Sequence, residues 1–162
     1  MNSIQFENGE DEVRFRMFRR KVAAQSQPFR NRSVFDIYKS SVVQGMFDAG
    51  VMIPFFLILP DEVFLVFEYG EDADIERFVD VSDKLFMSEL EEQDIKIEDE
   101  AFFEEEYDVK NLETPDKASL ATLFLFNRPS GWEKEHGEKL PDNEDHRFTL
   151  YAAEGVIDAC GC

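Results

Sequence analysis

Two apolar runs, Val51 to Leu59 and Val63 to Tyr69, stand on either side of Pro60, Asp61 and Glu62. Both are rich in branched and aromatic residues, and the polar break between them is turn-like, so the segment is expected to be a β-hairpin. The first arm does not alternate but is apolar at nearly every position. A strand of that kind needs cover on both faces, and helices are the nearest cover in the chain. Pro54 has no N–H to donate, which places its arm at a sheet edge or near a strand start.

Helical spacing surrounds the hairpin. Residues 10–24 hold Phe15, Phe18 and Val22 at intervals of three and four among Arg14, Arg16, Arg19, Arg20 and Lys21, and read as a first helix. Ser33 with Asp36 resembles a capping box, opening a second helix through Val34, Tyr38, Val42 and Met46 that stops at Gly50. Ile75, Phe78 and Val79 fit a helical turn or a short strand, and Ser82 is placed as the cap of a helix over 83–93. Ile95 and Ile97 alternate like a short strand. Thr114-Pro115 pairs a capping hydroxyl with proline at the first helical position. That helix is expected to reach Phe126 or Asn127, to offer Leu120, Leu123, Phe124 and Phe126 to the core, and to be broken by Arg128 to Gly131. Residues 131–145 then form a polar loop holding Trp132, and 148–160 lean towards helix.

The expected fold is α+β, one domain over 1–162: an antiparallel, hairpin-centred sheet packed against four or five helices. Seventeen Phe, four Tyr and one Trp supply a core.

Charge narrows the partner. The chain carries a net −19, and twenty Asp or Glu against Arg77, Lys84 and Lys96 lie between Asp61 and Asp108. Residues 1–39 hold eight basic and five acidic groups, net +3. Such a field repels nucleic acid and anionic lipid and attracts cationic protein surfaces. No direct nucleic-acid binding, except through the small N-terminal basic stretch, and no membrane contact are therefore expected. The opening residues lack a basic, then apolar, leader pattern, and the longest apolar run is about half of what spans a bilayer, so a cytoplasmic setting is expected.

The strongly acidic segment, 70–110, supplies the candidate contact residues: Glu89, Glu91, Glu92, Asp94, Glu98, Asp99, Glu100, Glu104, Glu105, Glu106 and Asp108. A nucleic-acid strand places one phosphate charge roughly every 3.4 Å, and carboxylates on adjacent helical turns or along a strand edge can match that spacing. Phe78, Phe86, Phe102, Phe103 and Tyr107 would fix them on a rigid frame or add anchors at the contact. The basic cluster from Arg14 to Lys21 is expected to pair internally with the acid.

Other chemistry finds no motif. Glu71 to Asp74 and Asp142 to Asp145 lack the spacing of a calcium loop. His136 and His146 lie ten residues apart in a charged stretch and read as surface histidines. Cys160 and Cys162 sit at the end of the sequence without a framework to staple. No phosphate loop, nucleophile elbow or metalloprotease helix is present. No catalytic residue, metal ligand or cofactor is assigned.

The expected function is non-catalytic: an acidic binding or inhibitory protein that mimics nucleic acid and blocks a basic nucleic-acid-binding partner. By analogy, the setting is bacterial or phage-infected cells, as for anti-restriction, anti-CRISPR or immunity inhibitors; the similarity to such inhibitors is one of charge and size. Homodimerisation is left open. The alternative is an assembly or secretion chaperone that holds a partner segment through its Phe-rich sheet and helices. A third class, an enzyme, would need a deep pocket around His146, Arg128 and carboxylates.

Overall fold

Phe15 to Lys21 alternate in side-chain direction, and they form a strand, not the helix that the 15, 18, 22 spacing suggests. A computed structural model describes residues 15–68, 71–140 and 151–152. Within them the order is β1 (Phe15–Lys21), a 3-10 turn (Pro28–Arg30), α1 (Arg32–Ala49), β2 (Met52–Ile58), β3 (Glu62–Glu68), α2 (Asp72–Glu92), β4 (Asp108–Leu112), α3 (Pro115–His136) and β5 (Tyr151–Ala152). The strands pair antiparallel in the order β4-β1-β3-β2-β5. The first six elements make the β-α-β-β-α-β pattern of the ferredoxin-like fold. The fold is α+β, as expected. The described residues hold three α-helices rather than four or five.

The hairpin is where the sequence places it. Leu59 N donates to Glu62 O at 2.8 Å to close the turn, and Phe64 faces Leu57 across the ladder. Pro54 lies in a register shift between Met52 and Phe55, the kind of irregularity that tolerates a residue without an N–H. Both sheet faces are covered. Phe67 meets Phe78 of α2 edge to face at 5.3 Å, whereas Phe64, its neighbour but two on the strand, meets Phe124 of α3 at 5.8 Å. The residues between Ile53 and Phe67 in the two arms are almost entirely sealed from solvent. So α1 and α2 lie on one face and α3 on the other.

Helix α1 starts two residues earlier than expected: Asn31 accepts from Ser33 N and Val34 N, and Gly50 ends it at φ 69°. Val34, Tyr38, Val42, Gly45 and Ala49 form its buried stripe. Against that stripe runs a single helix α2. Ser82, expected as a cap, is buried at mid-helix and its hydroxyl donates to Val79 O. The close approach of α1 explains it, because Gly45 faces Ser82 and only a small residue fits there.

Two further expectations are overturned. Ile95 and Ile97 lie in irregular backbone, half-buried, not in a strand. Helix α3 continues through Pro129 to His136, so Arg128 to Gly131 do not break it and the polar loop does not begin at Gly131. Its inward side is also turned from expectation. Ala121, Leu125 and Trp132 are buried, while Leu120, Leu123, Phe124 and Phe126 are largely exposed. What holds the far half down is polar: Arg128 forms an ion pair with Glu62 on β3, and Trp132 Nε1 donates a hydrogen bond to Asp61 at 2.8 Å. Residues 1–14, most of 141–162 and both cysteines, including His146 and the 148–160 segment apart from Tyr151–Ala152, lie outside the described residues. Tyr151–Ala152 is a strand paired with Phe55 and Phe56, not helix.

Candidate acidic interface

The acid of the middle third is carried on three connected supports: helix α2, the connection 93–107, and the edge strand β4. Helix α2 opens with Glu71, whose backbone N–H donates to Asp74 Oδ2 at 3.2 Å, so this acid cluster works as a helix start rather than a metal loop. Its side facing β1 receives the basic residues. Arg16 reaches Asp72 at 2.8 Å, and Arg20 makes paired contacts of 3.0 and 2.9 Å with Asp83. The expected internal pairing of the basic cluster holds for these residues and for Arg19, which meets Glu62, although they project from a strand. Burial pushes the Asp83 carboxyl up, and the Arg20 charge pulls it back.

The connection is pinned by its apolar plug. Phe102 and Phe103 are buried against Phe29, Tyr38 and Phe86, with ring separations of 4.9 Å for Phe29–Phe102 and 4.8 Å for Phe86–Phe102. Phe102 O accepts from Ala23 N and Ala24 N, and Glu104 N donates to Lys21 O at 3.0 Å. Arg20 spans the same junction, its guanidinium 4.3 Å from the Phe103 ring centre and Nε donating to Glu104 O. Tyr107 then packs on Phe18 at 4.7 Å. The expected role of Phe78, Phe86, Phe102, Phe103 and Tyr107 as a frame under the acid agrees with these contacts.

The eleven candidate residues follow one another in chain order along these supports. Glu89, Glu91 and Glu92 occupy the last turns of α2, and Asp94 follows in a left-handed conformation at φ 56°. Glu98, Asp99 and Glu100 precede the plug, Glu104, Glu105 and Glu106 follow it, and Asp108 begins β4. All are exposed except Glu89 and Asp99, which are half-buried. The Ser26 hydroxyl donates to Asp99 and holds its carboxyl below the usual range. The end of α2 violates a local rule. Carboxylates crowd the negative pole of the helix dipole and its last turn has no basic residue, a disfavour of roughly 0.3–1 kcal/mol per charge.

A stripe that the sequence reading passed over adds to this surface. Glu76, Asp80 and Asp83 stand on the side of α2 that faces Tyr107, with Val79 and Met87 beside them. Their spacing of three and four is present in the sequence, but a helix cap at Ser82 would divide the stripe in two.

The second polar cluster lies at the hairpin tip. Glu62 is buried and accepts from Arg19 on one oxygen and Arg128 on the other, while Arg128 also reaches Glu135 at 2.7 Å. His136 is not a bare surface histidine. It stacks on Trp132 with centroids 4.0 Å apart and lies 3.4 Å from Asp61. Every group here is engaged by another, which is how a docking joint is built. Among the described residues no group of three or more His, Cys, Asp or Glu could hold a metal ion, and no helix is long and apolar enough to cross a membrane.

No family model matches the chain, and no curated protein matches it. Among solved structures, the chain is similar to a REP-associated tyrosine transposase bound to a REP hairpin, with a TM-score of 0.60. The identity is 8%, over 74% of this chain and 68% of that one. At that identity the likeness is one of fold.

Proposed function

We propose that this chain is a non-catalytic inhibitor that presents the acidic run from α2 to β4 to a basic, nucleic-acid-handling partner and excludes nucleic acid from it. The observation that carries this reading is the anchoring of the connection: Phe102 and Phe103 are buried between two acidic triplets, so Glu98 to Glu100 and Glu104 to Glu106 project from a backbone tied to β1. A fixed array loses less freedom on binding than a mobile tail and can match a regular row of cations. Carboxylates at the wrong end of a helix dipole support the same reading, since local rules are broken most often at functional sites. By analogy, the setting is a contest between bacteria and phages, with the target an anti-nucleic-acid defence complex.

The chaperone alternative loses Phe56 and Phe64 as contacts, because both are sealed inside the sheet, whereas Leu120, Leu123 and Phe126 on α3 stay exposed and keep its helical contact open.

The test is capture from bacterial lysate on immobilised protein at two salt concentrations, with DNA and RNA as competitors. Salt-steep capture, displaced by one of the nucleic acids and lost when Glu98, Glu100, Glu104, Glu105 and Glu106 are changed to Lys, is expected. Capture that survives those changes in a folded variant overturns the reading.

A further inference from the structure

Between α2 and the segment that leads into β4 lies an open groove of about 390 Å³. Its floor is apolar: Val79, the half-exposed Met87 and the ring of Tyr107. Its rim is mostly anionic, formed by Glu76, Asp80 and Asp83 with Lys84 among them. Of the rim groups, Asp83 is committed to Arg20. Asp80 meets Lys84 at 3.1 Å, but both are well exposed, so water screens the pair and exchange for a better cation costs little.

We infer that this groove is the anchor point of the partner contact proposed above, and that it takes a single arginine side chain of the basic partner. The aliphatic stem lies on Val79 and Met87, and the guanidinium meets Glu76 and Asp80 while resting against the Tyr107 ring. The shape of the ligand follows from the lining. An apolar floor under a carboxylate rim fits a side chain with an apolar stem and a charged head. A planar fork that serves two carboxylates and stacks on an aromatic face is arginine's geometry, not lysine's. The molecule already uses that arrangement once: Arg20 packs its guanidinium over Phe103 and pairs with Asp83, between the same helix and the same connection. The local field agrees. Partial burial and the nearby Glu76 and Asp72 carboxylates raise the Tyr107 phenol, with Arg20 opposing them.

The inference rests on the acidic-interface reading, and one titration separates the two. Full-length protein with labelled Met and Val methyls is titrated with acetyl-Gly-Arg-Gly-amide, and with its citrulline and lysine counterparts. Saturable shifts at Met87 and Val79 are expected for the arginine peptide. Binding should be about tenfold or more weaker with citrulline, which keeps the shape and loses the charge, and weaker with lysine. The double change Glu76→Gln with Asp80→Asn should abolish the shifts while the remaining spectrum stays in place, and exposed Met52 serves as an off-site control. Equal shifts with citrulline, shifts spread evenly to Met52, or shifts that survive the double change overturn the arginine anchor. If the anchor fails while capture remains salt-steep and sensitive to reversal of Glu98 to Glu106, the acidic run alone makes the contact. If both fail, both readings fall.

Discussion

Arg128 on α3 donates from Nε and Nη2 to one oxygen of Glu62, at 3.1 and 2.8 Å, clamping the third helix to the start of β3. Arg19 occupies the other oxygen at 2.7 Å, so the buried carboxylate is neutralised from two elements at once. Replacing Glu62 by Gln leaves Arg19 without its counter-charge and Arg128 with Glu135 alone, in a half-dry setting. Loss of about 3–5 kcal/mol is expected, the cost typical of breaking a buried pair from one side. Urea unfolding should show it as a lower midpoint at unchanged slope.

Gly45 sets how closely α1 and α2 approach. A Cβ there would stand 3.0 Å from Ser82 Cβ and 3.1 Å from Phe78 Cε1. Gly45→Ala improves helix propensity by about 1 kcal/mol. Overpacking of about 1–3 kcal/mol opposes that gain, and two long helices leave little room to relax. The variant should be less stable than the parent in thermal unfolding, whereas Gly131→Ala, which meets only the end of the Arg128 side chain at 3.7 Å, should be neutral or stabilising.

Tyr38 is fully buried, and burial, reinforced by Asp83 and opposed by Arg20, raises its phenol well above the usual range. An unfolded chain ionises tyrosine near pH 10. The stabilising difference is therefore complete below about pH 10 and lost as the pH climbs towards the folded-state value. Stability curves of the parent and Tyr38→Phe should run parallel from pH 7 to 9 and then diverge, the parent falling faster. Parallel curves up to pH 11 would contradict this.

At the end of α2, function and stability should pull apart. Glu91→Lys with Glu92→Lys places cations at the negative pole of the helix, and should raise stability by about 0.3–1 kcal/mol per site. The same variant should capture the basic partner less well. A gain in both, measured by urea unfolding and by retention on the captured partner, would remove these residues from the interface.

The hairpin, α1 with its glycine stop and the start of α3 were legible because their signals are local: continuous apolar arms, a left-handed terminus, a hydroxyl followed by proline. Strand β1 was not. Phe15, Phe18 and Val22 satisfy helical spacing, and what settles the matter is the pairing of Phe18 with Leu65 and Val109, partners far along the chain. Arg16 and Arg20 could sit on a covered sheet face only because Asp72 and Asp83 wait for them on α2. Pro129 misled in the same way: a local breaker is overridden where Arg128 and Trp132 on either side of it are held by Glu62 and Asp61. The acidic surface was visible as composition, and the plug that orders it as the pair Phe102-Phe103. The groove facing Tyr107 was not, since its two walls come from separate elements.

The indole at position 132 is the sole one in the protein, and it is wedged between the hairpin tip and an imidazole ring. Its fluorescence is thus a private optical gauge of whether the last helix is seated on the sheet. A red-shifted, brightened emission that precedes loss of the circular-dichroism signal would reveal that helix peeling away first, while the rest of the sandwich stays assembled.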